Sequence, residues 1–304
     1  MKNKHFVLIF IALIISSCNP QTPLLDEANN LKIVATTSIV ADVVAQVGGD
    51  LVDVQILLPE GTDPHSFEPT PQDIAKVADA DVIFAHGAGL ETFLENLIES
   101  AGAEEKVIEV AEGIELLGGV KDEHDDDEHS GDPHTWTDPN NVIIWVENIE
   151  SSLIAEDAIH AGSYAENADA YIAELREIDA WIRERISEIP LENRQIVTDH
   201  SLLRYYVDEY GLEQVGAIIP GYSSLSEPSA QEMADIENTI RELKVRTIFV
   251  GKTANPDLAE RVAEDTGVQL VYFYTGSLSA SGGEAGTYLD YLRYNTNAFV
   301  NALK

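Results

Sequence analysis

One helix limits what this chain can fold into. Between residues 163 and 188, apolar side chains recur at Tyr164, Ala168, Tyr171, Leu175, Ile178, Ile182 and Ile186, with Ile189 just beyond. The intervals are three or four residues throughout, which lays one continuous apolar stripe along a single helical face. Roughly 26 residues at about 1.5 Å each make a rod of about 39 Å, longer than a small lobe is wide. Neither proline nor glycine interrupts the stripe, and Pro190 ends it. A rod of that length must be covered along its whole face, so it predicts two bodies joined by one rigid helix.

Short apolar runs alternate with helical stretches on both sides of the rod. Before it, residues 31–37, 52–58, 81–85 and 107–110 read as strands, and 39–47, 73–80, 90–100 and 140–155 as helices. After it, residues 195–198, 215–219, 247–250 and 269–274 read as strands, and 202–210, 230–243, 256–266 and 288–303 as helices. Such alternation implies an α/β protein of two lobes, each a parallel sheet flanked by helices, joined by one long rigid helix. The expected division is an N-terminal lobe over 31–160, a linking helix over 161–190 and a C-terminal lobe over 191–304. No sequence repeat relates the two lobes. Ligand crevices in such sheets lie beyond the carboxyl ends of the strands. His65 follows the second strand, His86 the third and an acidic loop the fourth, so all three share one edge.

The first 30 residues belong to neither lobe. Lys2 and Lys4 precede an apolar run over 6–15, too short to span a bilayer, and Ile15-Ser16-Ser17-Cys18 follows. This resembles a bacterial lipobox, with Ile15 where leucine is commoner. Residues 1–18 are then a lipoprotein signal peptide, Cys18 the lipidation site, and 19–30 a tether. Cys18 is the only cysteine, so a metal site elsewhere has to use imidazole, carboxylate, backbone oxygen or water. A formal net charge of −36 disfavours nucleic acid and anionic membrane surfaces as direct partners and favours cations.

Residues 121–139 read KDEHDDDEHSGDPHTWTDP. The first part carries His124 and His129 among six acids, a solvated charge run or an accessory metal loop. In the second, two Asp-Pro steps bracket His134 and Trp136 and imply a rigid turn. Of eight histidines, His65, His134 and His200 sit past a strand or in such a turn, each beside Pro, Asp or Glu. The first two fall in one lobe and the third in the other, so a metal held by all three would lie in the cleft. Neutral imidazoles suit borderline cations such as Zn²⁺. Glu68, Asp138 and Asp199 stand near enough in sequence to orient the rings. His160 reads as surface, and Trp136 and Trp145 as packing.

Three stretches carry a resemblance. They are Gly61-Thr62-Asp63-Pro64-His65-Ser66-Phe67-Glu68-Pro69-Thr70-Pro71, Asp132-Pro133-His134-Thr135-Trp136-Thr137-Asp138-Pro139, and Val197-Thr198-Asp199-His200 with Tyr205-Tyr206 and Tyr210-Gly211. With Glu227-Pro228-Ser229-Ala230, they resemble the metal-binding lipoproteins of bacterial zinc and manganese ABC importers, the cluster A-I type. The resemblance implies two α/β lobes bridged by a rigid helix, and metal ligands at His65, His134 and His200. Manganese-binding members usually have Glu at the third position and Asp as a fourth ligand. Here His200 and Gly276 stand there, so the resemblance implies Zn²⁺, with Mn²⁺ as the alternative. Water or an unplaced carboxylate completes the sphere, Glu60 being one candidate. His86 is expected to be structural or to support a ligand, and the Tyr222 loop to line the cleft mouth.

The function expected is therefore extracytoplasmic zinc binding and delivery to an ABC permease by a monomeric, exported, membrane-anchored lipoprotein, and not an enzyme. Manganese or iron import and a metal-stabilised adhesin are the alternatives that the same resemblance allows. Three histidines with an open position would also suit a zinc hydrolase. The chain, however, has no H-E-x-x-H, and GYSS is not a G-x-S-x-G elbow.

Overall fold

The computed structural model describes residues 30–118 and 131–304. Cys18, His124 and His129 lie outside them. The first sheet holds β1 (Leu31–Ala35), β2 (Val52–Ile56), β3 (Val82–Ala85) and β4 (Val107–Glu109), all parallel, in the order β2-β1-β3-β4. The second holds β5 (Gln195–His200), β6 (Glu213–Ile219), β7 (Thr247–Gly251) and β8 (Gln269–Phe273), also parallel, in the order β6-β5-β7-β8. Without a sequence repeat, the two lobes share one topology. Each chain half starts in the middle of its sheet, pairs outward to one edge, then crosses to the other side. The crossing leaves a crevice beyond the ends of β1 and β3, and another beyond β5 and β7.

Helices α1 (Ser38–Gly48), α2 (Pro71–Asp79), α3 (Leu94–Ala101) and α4 (Pro139–Glu156) accompany the first sheet. Helices α6 (Arg204–Tyr210), α7 (Ala230–Leu243), α8 (Asp257–Thr266) and α9 (Tyr288–Leu303) follow or interleave the second. Between the sheets runs α5 (Ala161–Ser187), 27 residues and about 40 Å long. Local chemistry sets the ends. Thr37 accepts from Val40 N at the start of α1, and Thr70 with Asp73 forms a capping box on α2, whose first residue is Pro71. The third helix starts at Leu94 and not at residue 90. Glu91 turns its carboxylate back to accept from His86 N and Gly87 N, and Gly87, Ala88 and Gly89 all have positive φ.

Strand alternation sorts the core into layers. In β1, Ile33 and Ala35 face a core shared with α5, while Val34 faces a separate cluster with Leu57, Val77, Ile83 and Leu97. In β7, Phe249 faces the shared core, while Ile248 and Val250 pack with Ile218, Ile236 and Ile240. The inner faces of both sheets thus meet one continuous core through α4, α5 and α9. Its buried α5 residues are Tyr164, Ala168, Tyr171, Ile172, Leu175, Ile178, Ile182 and Ile186, the expected stripe with Ile172 added. Among the described residues no helix is long and apolar enough to cross a membrane.

The stripe can be tested directly. Leu175 is fully buried and Arg176 exposed. Leu175→Ala should lower stability by about 2–5 kcal/mol, and Arg176→Ala by less than about 0.5 kcal/mol, in denaturant titrations of the metal-free protein. Equal small effects would mean that α5 is not seated in a shared core.

Candidate metal centre

His65 lies on the loop from β2 to α2. Asp63 accepts from His65 N at 3.0 Å through Oδ1, and its carbonyl accepts from Ser66 N at 3.2 Å, which makes a tight turn around Pro64. Pro64, Pro69 and Pro71 restrict the rest of this loop.

His134 is buried, and its turn is held from every side. Asp132 accepts through Oδ1 from both His134 N (3.0 Å) and Nδ1 (2.7 Å). The Nδ1 proton is therefore committed to Asp132, and the Nε2 lone pair points into the cleft. Behind the turn, His86 Nε2 donates to the Pro133 carbonyl at 2.6 Å. Its ring stands edge-on to Trp136 and Trp145, at 5.0 and 4.9 Å between centroids. Burial pushes the His86 imidazole down to about 3, so it is a neutral donor. Tyr205 Oη donates to the Asp132 carbonyl at 2.7 Å from the second lobe.

His200 is the last residue of β5. Asp199 accepts from His200 N (2.7 Å) and Nδ1 (3.0 Å) through Oδ1, and from Gly251 N (2.8 Å) through Oδ2. A Cβ at Gly251 would lie 3.0 Å from that carboxylate oxygen and 2.6 Å from Thr275 Cγ2. Glycine is what lets the ends of β5 and β7 close around Asp199.

The three rings form a triangle with centroids 5.4, 5.8 and 5.4 Å apart, and each offers a nitrogen within 4.8 Å of the other two. His65 Nε2 and His134 Nε2 are 3.3 Å apart. Two nitrogens each about 2.0–2.1 Å from a tetrahedral ion would be separated by about 3.3 Å. The cavity between them, about 10 Å³, has room for one small ion or one water. Burial, and then the neighbouring His134, pushes the His65 imidazole down to about 4, and burial lowers His134 as well. These two rings are neutral near pH 7, the form that binds metal.

Of the acids the sequence suggested for orienting the rings, only Asp199 does so. Asp138 accepts from Asn140 N and caps α4, and Glu68 is exposed. Asp132, two residues before His134, takes the role expected of Asp138, and its spacing was the available signal. Glu60 is exposed and does not line the cavity. The carboxylate that does line it is Asp63, which sequence reasoning left unassigned. Gly276 lines it too, and a Cβ there would lie 2.7 Å from Pro64 Cδ. His86 supports the His134 turn and does not face the cavity. The expected accessory loop with His124 and His129 lies outside the described residues; Gly118 and Gly131, to either side of them, pair in a β-bridge, and Arg204 Nη1 donates to the Gly118 carbonyl at 2.7 Å. Tyr222 stands near the mouth, its ring 6.4 Å from that of His134.

Residues 33–302 match the family described as zinc-uptake complex component A, periplasmic. The manganese-binding lipoprotein MntA of Halalkalibacterium halodurans is 34% identical over 98% of this chain and 97% of its own. The iron-binding protein YfeA of Yersinia pestis is 30% identical over 97% and 93%. The periplasmic zinc-binding protein TroA from Treponema pallidum superposes with a TM-score of 0.82 at 25% identity, over 90% of this chain and 99% of TroA. Two parallel sheets bridged by one long helix are thus shared architecture, and the chain belongs to the zinc-uptake component A family, the non-enzymatic metal-binding proteins of ABC importers.

Proposed function

We propose that this chain captures Zn²⁺ outside the cytoplasm through His65, His134 and His200 and delivers it to an ABC permease. The carrying observation is the pair of backing carboxylates. Asp132 and Asp199 hold the Nδ1 side of His134 and His200, which turns both Nε2 atoms toward His65. Three nitrogen donors favour zinc over the harder manganese, which prefers carboxylate oxygen. Gly276 lines the cavity where manganese-binding members have a carboxylate, and Pro64 occupies the adjoining space.

Manganese is the second reading, and the relative MntA supports it by name. Iron is supported likewise by YfeA. In either reading Cys18 carries the lipid that anchors the exported protein, residues 19–30 tether it, and it works as a monomer. His124 and His129 serve as an accessory collector for the same cargo.

Three outcomes test this reading. Zn²⁺ should displace Mn²⁺ in equilibrium competition, because imidazole nitrogen suits zinc better than the harder manganese. A preference for Mn²⁺ would reverse the choice of metal. His134→Ala should weaken zinc binding by about a hundredfold or more in isothermal titration, and retained affinity would remove His134 from the ligand set. Burial lowers the proton affinity of His65, to about 4, and of His134, so protons should compete at these two rings only below the ordinary imidazole range, with their share of binding full above it and lost as pH falls toward 4. A His65 ring that titrates in the ordinary imidazole range, followed by NMR in the metal-free protein, would contradict its burial.

A further inference from the structure

Two cavities meet at Asp63. The inner one is the three-imidazole centre of about 10 Å³. The outer one, about 390 Å³, is lined by Ser224, Leu225 and Glu227 of the β6–α7 loop and by Thr253 and Asn255 after β7. Of the described residues lining these two cavities, only Asp63 and His200 border both.

A cation in solution carries a shell of waters, and one held tetrahedrally by three imidazoles has room for at most one of them. The rest are given up between the outer space and the imidazoles. Protein oxygen can take the place of those waters as they leave. Asp199 lines the outer cavity, but both its oxygens are committed, to His200 and Gly251. Glu227 borders only the outer cavity. Asp63 is the carboxylate that touches both.

Its two oxygens are held differently. Oδ1 accepts from His65 N at 3.0 Å and belongs to the turn that carries the ligand. Oδ2 accepts from the Ser224 hydroxyl, across the cleft in the other lobe. No other side-chain hydrogen bond among the described residues joins the 59–71 loop to the 220–228 loop.

We propose that Asp63 is the exchange gate of the metal centre. With Oδ2 on Ser224, the carboxylate closes the inner cavity. A hydrated cation in the outer cavity draws Oδ2 away from Ser224 and trades waters for carboxylate oxygen. It then passes to the three imidazoles, and Ser224 takes the oxygen back. Release runs the same steps in reverse. This rests on the reading that His65, His134 and His200 hold the cargo, and it adds the route by which cargo reaches them.

A gate shows in rates. The experiment uses the full chain with Zn²⁺, following capture by stopped flow and release into excess fluorescent chelator. Ser224→Ala should speed capture and release alike by about tenfold, the scale of one hydrogen bond to a charged acceptor, with their ratio changed by less than about threefold. Ser224→Thr keeps the hydroxyl and should restore the original rates. Asp63→Asn keeps an acceptor for Ser224 but loses the charge, and should slow capture by about tenfold. Unchanged rates in Ser224→Ala overturn the gate, and so does acceleration of release alone, which would make Ser224 a clamp on the loaded state. If His134→Ala abolishes binding while Ser224→Ala exchanges at the original rate, the gate is lost and the ligand assignment stands. If the unaltered protein binds no zinc, both fall.

Discussion

An imidazole offers a cation one lone pair, and only when its other nitrogen is engaged does that lone pair have a fixed direction. The centre depends on this bond behind the ring. Asp132 and Asp199 accept from the Nδ1 of His134 and His200 at 2.7 and 3.0 Å, and all four residues are buried. Each carboxylate sets the tautomer, fixes the ring plane and makes Nε2 a better donor. Burial acts on the competing proton. It lowers the proton affinity of His65 and His134, so these rings are open to metal when water would have left them partly protonated.

Such pairs hold their geometry only on a stiff support, and the sheets provide it. Asp199 and His200 end the central strand β5, where Gly251 of β7 donates to the same carboxylate. The His134 turn is wedged on the first lobe by His86 and its two tryptophans. Trp136 then crosses the cleft. Its Nε1 donates to the Thr275 carbonyl at 3.2 Å, and its own carbonyl accepts from Tyr288 Oη at 2.6 Å. The shared core along α5 sets the two crevices facing one another. The distances among the three imidazoles therefore depend on the packing of α4, α5 and α9 as much as on the histidines.

The apolar stripe made α5 legible almost to the residue, expected over 163–188 and found at Ala161–Ser187. The parallel class followed from alternation alone, because each buried strand is a short β-branched run. Other features were hidden for identifiable reasons. The late start of α3 depends on Glu91, whose carboxylate also accepts from Thr36 Oγ1, 55 residues earlier. Asp132 and Asp138 flank His134 in similar Asp-Pro steps, so sequence does not say which one turns inward. Asp138 is committed to a helix N-terminus, and that leaves Asp132 for the ring. The role of Asp63 depends on Ser224, 161 residues away.

By itself, the sequence determined the element types, the two-lobe α/β plan and the three histidines at strand ends and rigid turns, because period and local turn chemistry are written in neighbouring residues. Only the tertiary structure decided the strand order, the carboxylates behind each ring, and the meeting of three imidazoles around a cavity of about 10 Å³. Those are distances between residues far apart in the chain, His65 and His134 being separated by 69 positions, and no local pattern carries them.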